Sequence, residues 1–495
     1  MKKFMALLVI VIMFLPCVFA HPAEKNSDVE NEEIDVVYTY VDLTDENLHR
    51  DGVSTCKKDY SNEELRYSLR SVLQNIPWVR KIFIIMPNDK VKFLKDKSKI
   101  SDKIVYIKDK DLLGFDSSSS VSFEFNFWRL KDFGCSENFI YMNDDFFIGK
   151  PLKKSDFFYR NEEGKVVPYV LYGKNIDYGQ YGNVRNYWYD LKKDINSLSP
   201  HSNSGFEYQR MSTFMFLYDK VFSRDIKAPS EDLNYFPHNA LGENLTDLKE
   251  IYDLVFNNYE HANECLFARS RNNYGFQHQT MYCFYLINKY NRKLGSIFGP
   301  YIDLTDAFFA DYSSSLFCIN TGGDIDYTEL DYTRAKIKMA ELFPERTKYE
   351  KPEISEGTYM IISKLNYNKC LDIEWASPEN CANLHLFERN DSVAQKFYLK
   401  YNFDGTYTII PKCSGKAVDV ERSGSEMGTN IWQYEKNGTD AQKWYIIPDR
   451  QGYFHIVSKC NGLSLDVNGA IAEDWTNIQC WEINDSDAQK FKFVK

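Results

Sequence analysis

The last third of the chain repeats itself. GTYMII at Gly357, GTYTII at Gly405 and GYFHIV at Gly452 each open a unit, and Asp372, Asp419 and Asp466 recur at a spacing of 47. So do the closing runs QKFY at Gln395, QKWY at Gln442 and QKFK at Gln489. A period of this length is one supersecondary unit copied three times, because a unit so short cannot bury its own apolar face and must lay it against its neighbours. Each unit consists of short β-branched and aromatic runs broken by turn residues, the pattern of strands. Phe397, Trp444 and Phe491 hold one equivalent position, where three rings meet in a shared core.

Three strand-rich units about one axis predict an all-β, β-trefoil domain over 357–495. These motifs resemble those of ricin-type carbohydrate-binding trefoils. The resemblance implies a sugar site in each unit, built from the early Asp, a polar residue about thirteen positions on and a nearby aromatic. The third unit supplies Asp466, Gln479 and Trp481. The second supplies Asp419 and Tyr434, with Trp432 in the polar place, and the first Asp372 and Phe387, with His385 there. The Asn that such proteins often place before the closing Gln is Ala394, Ala441 and Ala488 here.

At 495 residues the chain needs at least one further domain. A net charge of -11 argues against nucleic acid as a partner, while leaving room for a local basic pocket around a small anion. Lys2 and Lys3 precede an apolar stretch ending near Val18-Phe19-Ala20, which predicts a signal peptide over 1–20 and a mature chain without a membrane span, in the secretory pathway, either secreted or in the Golgi lumen. Residues 21–33 are polar and acidic and predict a flexible lead-in. The oxidising compartment favours disulfides among the ten remaining cysteines, with Cys370–Cys381 as a local pairing. Asn244, Asn390, Asn437 and Asn484 open glycosylation sequons.

Residues 34–350 read as a second module, joined to the first by a linker at Lys348–Glu356. IDVVYTYV from Ile34, KIFIIM from Lys81, IVYI from Ile104 and FIYM from Phe139 are buried-strand runs. Between the first two lies SNEELRYSLRSVL, a helix with Ser61 and Glu64 spaced as a capping box and Arg66 and Arg70 one turn apart. Further helices are expected at Leu245–Tyr259, Thr280–Tyr290 and Arg334–Leu342. Strands alternating with helices predict an α/β domain with a mostly parallel sheet, whose ligands bind beyond the carboxyl ends of the strands. Asp42, Asn88-Asp89 and Asn143-Asp144-Asp145 all fall at such ends. On residues alone, the paired carboxylates are either a solvated turn or a site for Mg²⁺ or Mn²⁺, which favour oxygen ligands. Arg66 and Arg70 are either a solvated face or a fork for a diphosphate.

Four blocks in order resemble the Stealth family. They are IDVVYTYVD; NEELRYSLRSVLQNIPWVRKIFII leading into FIYMNDDFFIGKPL; FPHNALGENLTDLKEIY with LFARSRNNYGFQHQTMYCFYL; and LFCIN with MAELFPERTKYEKPE. The resemblance implies a nucleotide-sugar-binding domain that transfers a hexose-1-phosphate, such as GlcNAc-1-phosphate, from a UDP-sugar donor to a glycan or polysaccharide hydroxyl, with Mg²⁺ or Mn²⁺. Carried over by motif, Asp145, Glu124, His238 and Arg271 are the catalytic candidates. Asp144 and Asp145 are the metal candidates, and Asp42, Arg66, Arg70 and Asn143 the substrate-binding ones. The histidines usual after the family's Glu are Phe125, Asn126 and Phe127 here, and Tyr235 replaces the first His of its H-x-P motif, leaving His238 as the substitute base or a plain helix-start residue. Two other functions use the same parts: a UDP-sugar glycosyltransferase, and a secreted lectin with an inactive catalytic module.

Overall fold

The structure, a computed structural model, describes residues 29–41, 63–87, 90–117, 119–170, 213, 216–223, 240–269, 274–297, 299–320, 327–449 and 451–495. Asp42, Asn88, Asp89, His238 and Arg271 lie outside them.

The N-terminal module is built on a five-stranded sheet. β1 (Ile34–Thr39), β2 (Ile82–Met86), β3 (Ile104–Lys108) and β4 (Asn138–Asn143) run parallel in the order β3-β2-β1-β4. The runs of β1, β2 and β4 are near-continuous because both faces of these strands are buried, as in parallel sheets generally. Val36, Val37, Ile82, Ile84, Phe139 and Ile140 are at most 1% exposed. One edge is completed by β6 (Leu241–Asn244), antiparallel to β4 with Phe139 opposite Glu243. After β4 the chain turns through Asp144-Asp145 into β5 (Phe146–Ile148). That short strand leaves the sheet to pair antiparallel with β8 (Leu316–Asn320), itself flanked by the parallel β7 (Tyr301–Asp303). Helices α1 (Glu64–Asn75), α2 (Ser120–Asn126), α3 (Leu245–Asn258), α4 (His278–Tyr290) and α5 (Glu329–Leu342) complete the module as far as the site needs it.

Several expectations need correction. Glu64 is the first residue of α1, preceded by Glu63 at φ 56 with no side-chain cap, so it does not hold the third position that a capping box with Ser61 requires. The capping box belongs instead to α5, which starts five residues earlier than periodicity indicated. There Thr328 Oγ1 accepts from Asp331 N, and Asp331 accepts from Thr328 N. Asn244 is buried and caps α3 by accepting from Thr246 N and Asp247 N, leaving no room for a glycan on its amide. Cys370 and Cys381 are free thiols, as are the other seven cysteines among the described residues. Cys370 is inside a strand pair, whereas Cys381 donates its backbone N–H to Gln433 O on the next repeat.

The C-terminal module closes into a barrel. Gly357–Ser363, Phe397–Tyr401, Tyr407–Pro411, Trp444–Pro448, Phe454–Ser458 and Phe491–Val494 pair in turn, and the last returns to the first. Three hairpins cap one end: Lys369–Ile373 with Leu384–Glu388, Ala417–Val420 with Ile431–Tyr434, and Ser464–Val467 with Ile478–Trp481. This is the β-trefoil, and Phe397, Trp444 and Phe491 are 0% exposed at its centre.

The Lys348–Glu356 segment is a clamp rather than a loose linker. Glu350 is buried and accepts from Arg70 Nη2 (2.8 Å) and Nε (3.1 Å) and from Arg66 Nη1 (3.4 Å). Glu353 lies 3.6–3.7 Å from both guanidiniums, and Glu63 takes Arg66 Nη2 at 2.8 Å. Burial works against the Glu350 charge, but Arg70 and Arg66 hold its carboxyl below the usual range. Beside this network the modules share one apolar core. Phe147, Phe317, Ile337, Met339 and Phe343 of the first module pack with Tyr445, Ile447, Val457 and Ile483 of the second. Phe147 is stacked on Phe317 (5.1 Å) and on Phe343 (5.8 Å), so this junction begins two residues after Asp145.

Candidate active site at the carboxyl end of the central strands

Period 2 puts Tyr141 and Asn143 on one face of β4, and parallel register brings Thr39 of β1 level with Asn143. Their polar groups form one cluster. Asn143 Oδ1 accepts from Thr39 Oγ1 at 3.0 Å and from Tyr141 OH at 2.7 Å. The same phenol lies 3.0 Å from Glu124 Oε1 on α2, so a single proton is shared between two acceptors. The structure thus joins two predicted residues, Glu124 and Asn143, through Tyr141, a residue sequence reading placed in the core.

Asp144 and Asp145 form the turn itself, each half-buried. Asp145 is pinned from the far side: its backbone oxygen accepts from Ile319 N at 3.1 Å, and its Oδ2 from Cys318 Sγ at 3.3 Å. Burial pushes the Asp145 carboxyl up to about 7, with Glu64 adding to the rise and the Cys318 bond opposing it. Burial, then Asp145, then Glu64 push Asp144 well above the ordinary carboxylate range. Three carboxylates from two elements therefore press on one another, which is what a cation or a proton relieves. Among the described residues no group of three or more His, Cys, Asp or Glu side chains is arranged to hold a metal by itself.

Behind Tyr141 lies a pair that sequence reading missed. His278, at the start of α4, has its Nε2 2.6 Å from Glu243 Oε1 of β6, and both residues are at most 2% exposed. Phe125, Phe127, Tyr141 and Tyr282 surround the ring at centroid distances of 5.5–6.4 Å. Burial opposes the imidazolium, yet Glu243 and more distantly Glu124 raise the His278 pKa above its ordinary value. Nothing in the spacing marks this pair, since its members are 35 residues apart. Arg66 and Arg70, by contrast, do not reach this cluster. Apart from Arg66 Nε, which has no partner among the described residues, their bonded donors go to Glu63, Glu350 and the backbone oxygens of Lys351 and Phe343, so they brace the junction instead of presenting a fork to an anion.

In the trefoil all three early aspartates are buried and equivalent. Asp466 accepts from Gln479 Nε2 and Gln489 Nε2, both at 3.1 Å, beside a 37%-exposed Trp481. Asp419 accepts from Trp432 Nε1 and Gln442 Nε2, both at 2.9 Å, with Tyr434 stacked on Trp432. Asp372 lies 3.7 Å from His385 Nε2, beyond hydrogen-bond reach.

The site is thus an acidic turn at the strand ends of a mostly parallel sheet, in a chain that also carries a β-trefoil. Residues 58–166 match the family described as Stealth protein CR2, conserved region 2, and residues 348–434 and 395–481 match the ricin-type beta-trefoil lectin domain-like family. Similar curated proteins include an exopolysaccharide phosphotransferase of Streptomyces coelicolor, 35% identical over 141 residues (26% of this chain, 23% of the relative). A capsular polysaccharide phosphotransferase of Neisseria meningitidis serogroup B is 34% identical over 149 residues (26% and 39%). The human N-acetylglucosamine-1-phosphotransferase subunits alpha/beta are 32% identical over 150 residues (29% and 12%). The chain thus spans well under half the length of these relatives. Among solved structures, the designed three-fold protein ThreeFoil aligns with 30% identity over 28% of this chain and 98% of its own, at a TM-score of 0.27. No described helix is long and apolar enough to cross a membrane.

Proposed function

We propose that the chain transfers a sugar-1-phosphate, GlcNAc-1-phosphate or a related hexose-1-phosphate, from a UDP-sugar to a glycan hydroxyl, releasing UMP. The observation that carries this reading is the Asp144-Asp145 turn. It lies at the carboxyl end of β4, inside the matched region, and the matching relatives are named phosphotransferases. In the reaction the acceptor oxygen attacks the phosphorus bearing the sugar. The bond from that phosphorus to the bridging oxygen of UMP breaks, and the acceptor proton passes to a base. Asp145, whose carboxyl burial pushes above the ordinary carboxylate range, is the first candidate for that base. Glu124, in reach of the Tyr141 phenol, is the second candidate. His238 and Arg271 keep the roles their motif implies.

Asp144 and Asp145 are a fitting donor set for Mg²⁺ or Mn²⁺, which bind through one or two carboxylates plus substrate phosphate and water and would neutralise the diphosphate there. The chain's own side chains do the positioning. Thr39 and Tyr141 fix the Asn143 amide, and Cys318 and Ile319 fix Asp145. The trefoil, packed against α5, presents glycan acceptors in the secretory pathway. The test is nucleotide analysis with a panel of UDP-sugars and glycan acceptors. UMP is expected; UDP as the sole product identifies a glycosyltransferase and overturns the reading.

A further inference from the structure

The three trefoil lobes are not equal, and the difference lies in what the neighbouring repeat places over each. Every lobe receives a loop residue from another unit through the same pair of backbone bonds. In the third lobe Gly428 N donates to Cys480 O (2.8 Å) and Cys480 N to Thr429 O (2.8 Å). In the second, Cys381 N donates to Gln433 O (2.9 Å) and Gln433 N to Ala382 O (3.0 Å). In the first, Trp475 N donates to Leu386 O (2.9 Å) and Leu386 N to Thr476 O (2.8 Å). Cys381, Gly428 and Trp475 are thus one position repeated, and all three have left-handed backbone, φ 65, 84 and 68.

A side chain at that position projects over the sugar-type residues. A Cβ added to Gly428 would first meet Gln479 Oε1 and Trp481 Cζ3, both at 3.9 Å, so this position faces the third-lobe residues and, as glycine, leaves them uncovered. In the first lobe the space is filled. The Trp475 ring lies 4.7 Å from His385, at 30°, 5.2 Å edge-on from Phe387 and 5.0 Å from Trp375. It covers a His385 that is 2% exposed and whose Nε2 has no hydrogen-bond partner among the described residues. A buried ring nitrogen without a partner thus sits beneath an indole. The second lobe is short of donors for another reason: Trp432 has a single N–H, spent on Asp419.

We propose that Trp475 is an internal plug in the sugar pocket of the first lobe, so that the trefoil offers one open pyranose site, in the third. The proposal rests on reading the module as a glycan binder, and it fixes its valency. Glycine suits φ 68 without strain, so Trp475→Gly removes the plug while relaxing the backbone.

Sites per chain are counted by calorimetric titration of the full chain with methyl glycosides of galactose, glucose, N-acetylgalactosamine and N-acetylglucosamine. One site is expected, lost in Trp481→Ala. Trp475→Gly is expected to give two, and Trp475→Gly with Trp481→Ala one. Two or more sites in the unsubstituted chain overturn the proposal. So does an unchanged count in a Trp475→Gly protein of unaltered thermal midpoint; if that midpoint falls, Trp475→Ala takes its place. Binding by Trp475→Gly alone would uphold the plug and remove the third lobe from the functional reading. Binding by neither would sink the plug.

Discussion

Replacing Glu350 by Gln separates a structural from a substrate-binding role for Arg66 and Arg70. The carboxylate is buried, receives three contacts from Arg70 at 2.8–3.1 Å and one from Arg66, and also accepts from Thr347 N at 3.0 Å. Removing one partner of a buried ion pair costs about 3–5 kcal/mol, because the other charge is left uncompensated. Glu353, 3.6–3.7 Å from both arginines, takes up part of that loss, which puts the expected cost near the lower end, about 3 kcal/mol. In urea the slope for a chain of this size exceeds the roughly 1–3 kcal/mol per molar of small proteins, so the midpoint should fall by up to about 1 M. The assay is urea unfolding of the Glu350→Gln protein, alongside donor KM in its folded form. A lower midpoint with unchanged donor KM is expected. An unchanged midpoint with a shifted donor KM would refute the reasoning and return the arginines to the diphosphate.

Asp145→Asn should lower kcat by at least about 10³-fold, since it removes both a proton acceptor and charge from the site, while circular dichroism stays unchanged. Tyr141→Phe loses the phenol that links Glu124 to Asn143, and a roughly tenfold or greater fall in kcat/KM without loss of fold is the expected signature. Phe343→Ala leaves a cavity against Phe147 and Phe317 and should cost about 3–5 kcal/mol in urea unfolding, while keeping the backbone oxygen that Arg70 Nη1 binds. His278→Gln should destabilise more at pH 6 than at pH 9. The folded-state pKa of His278 is raised, so its contribution is present below the unfolded pKa and disappears as pH rises through the folded one. Thermal midpoints of both proteins across that range check the sign.

The parallel strands were legible because each is a hydrophobic run, three of the four leading into acidic or amide residues, and the repeat of 47 exposed the trefoil hairpins. β6 was not, since Leu-Gly-Glu-Asn carries no β-branched residue and owes its place to pairing with β4. The spacing of Arg66 and Arg70 showed a shared helical face but not that Glu350, 280 residues after Arg70, would occupy it. Tyr141 could have been found, because strand alternation aligns it with Asn143. The His278–Glu243 pair could not, because contact between residues of separate elements leaves no periodic trace. The plug is an intermediate case: aligning the repeats sets Trp475 beside Gly428 and Cys381, but only the structure shows which lobe that position covers.

The most direct measurement is ³¹P NMR of a glycan acceptor after incubation with a UDP-sugar, comparing the unsubstituted chain with Asp145→Asn. A phosphodiester resonance on the acceptor, with UMP in the supernatant, is expected from the first and not from the second. A product free of phosphorus together with UDP, or equal turnover by the two proteins, would contradict phosphotransfer at the Asp144-Asp145 turn.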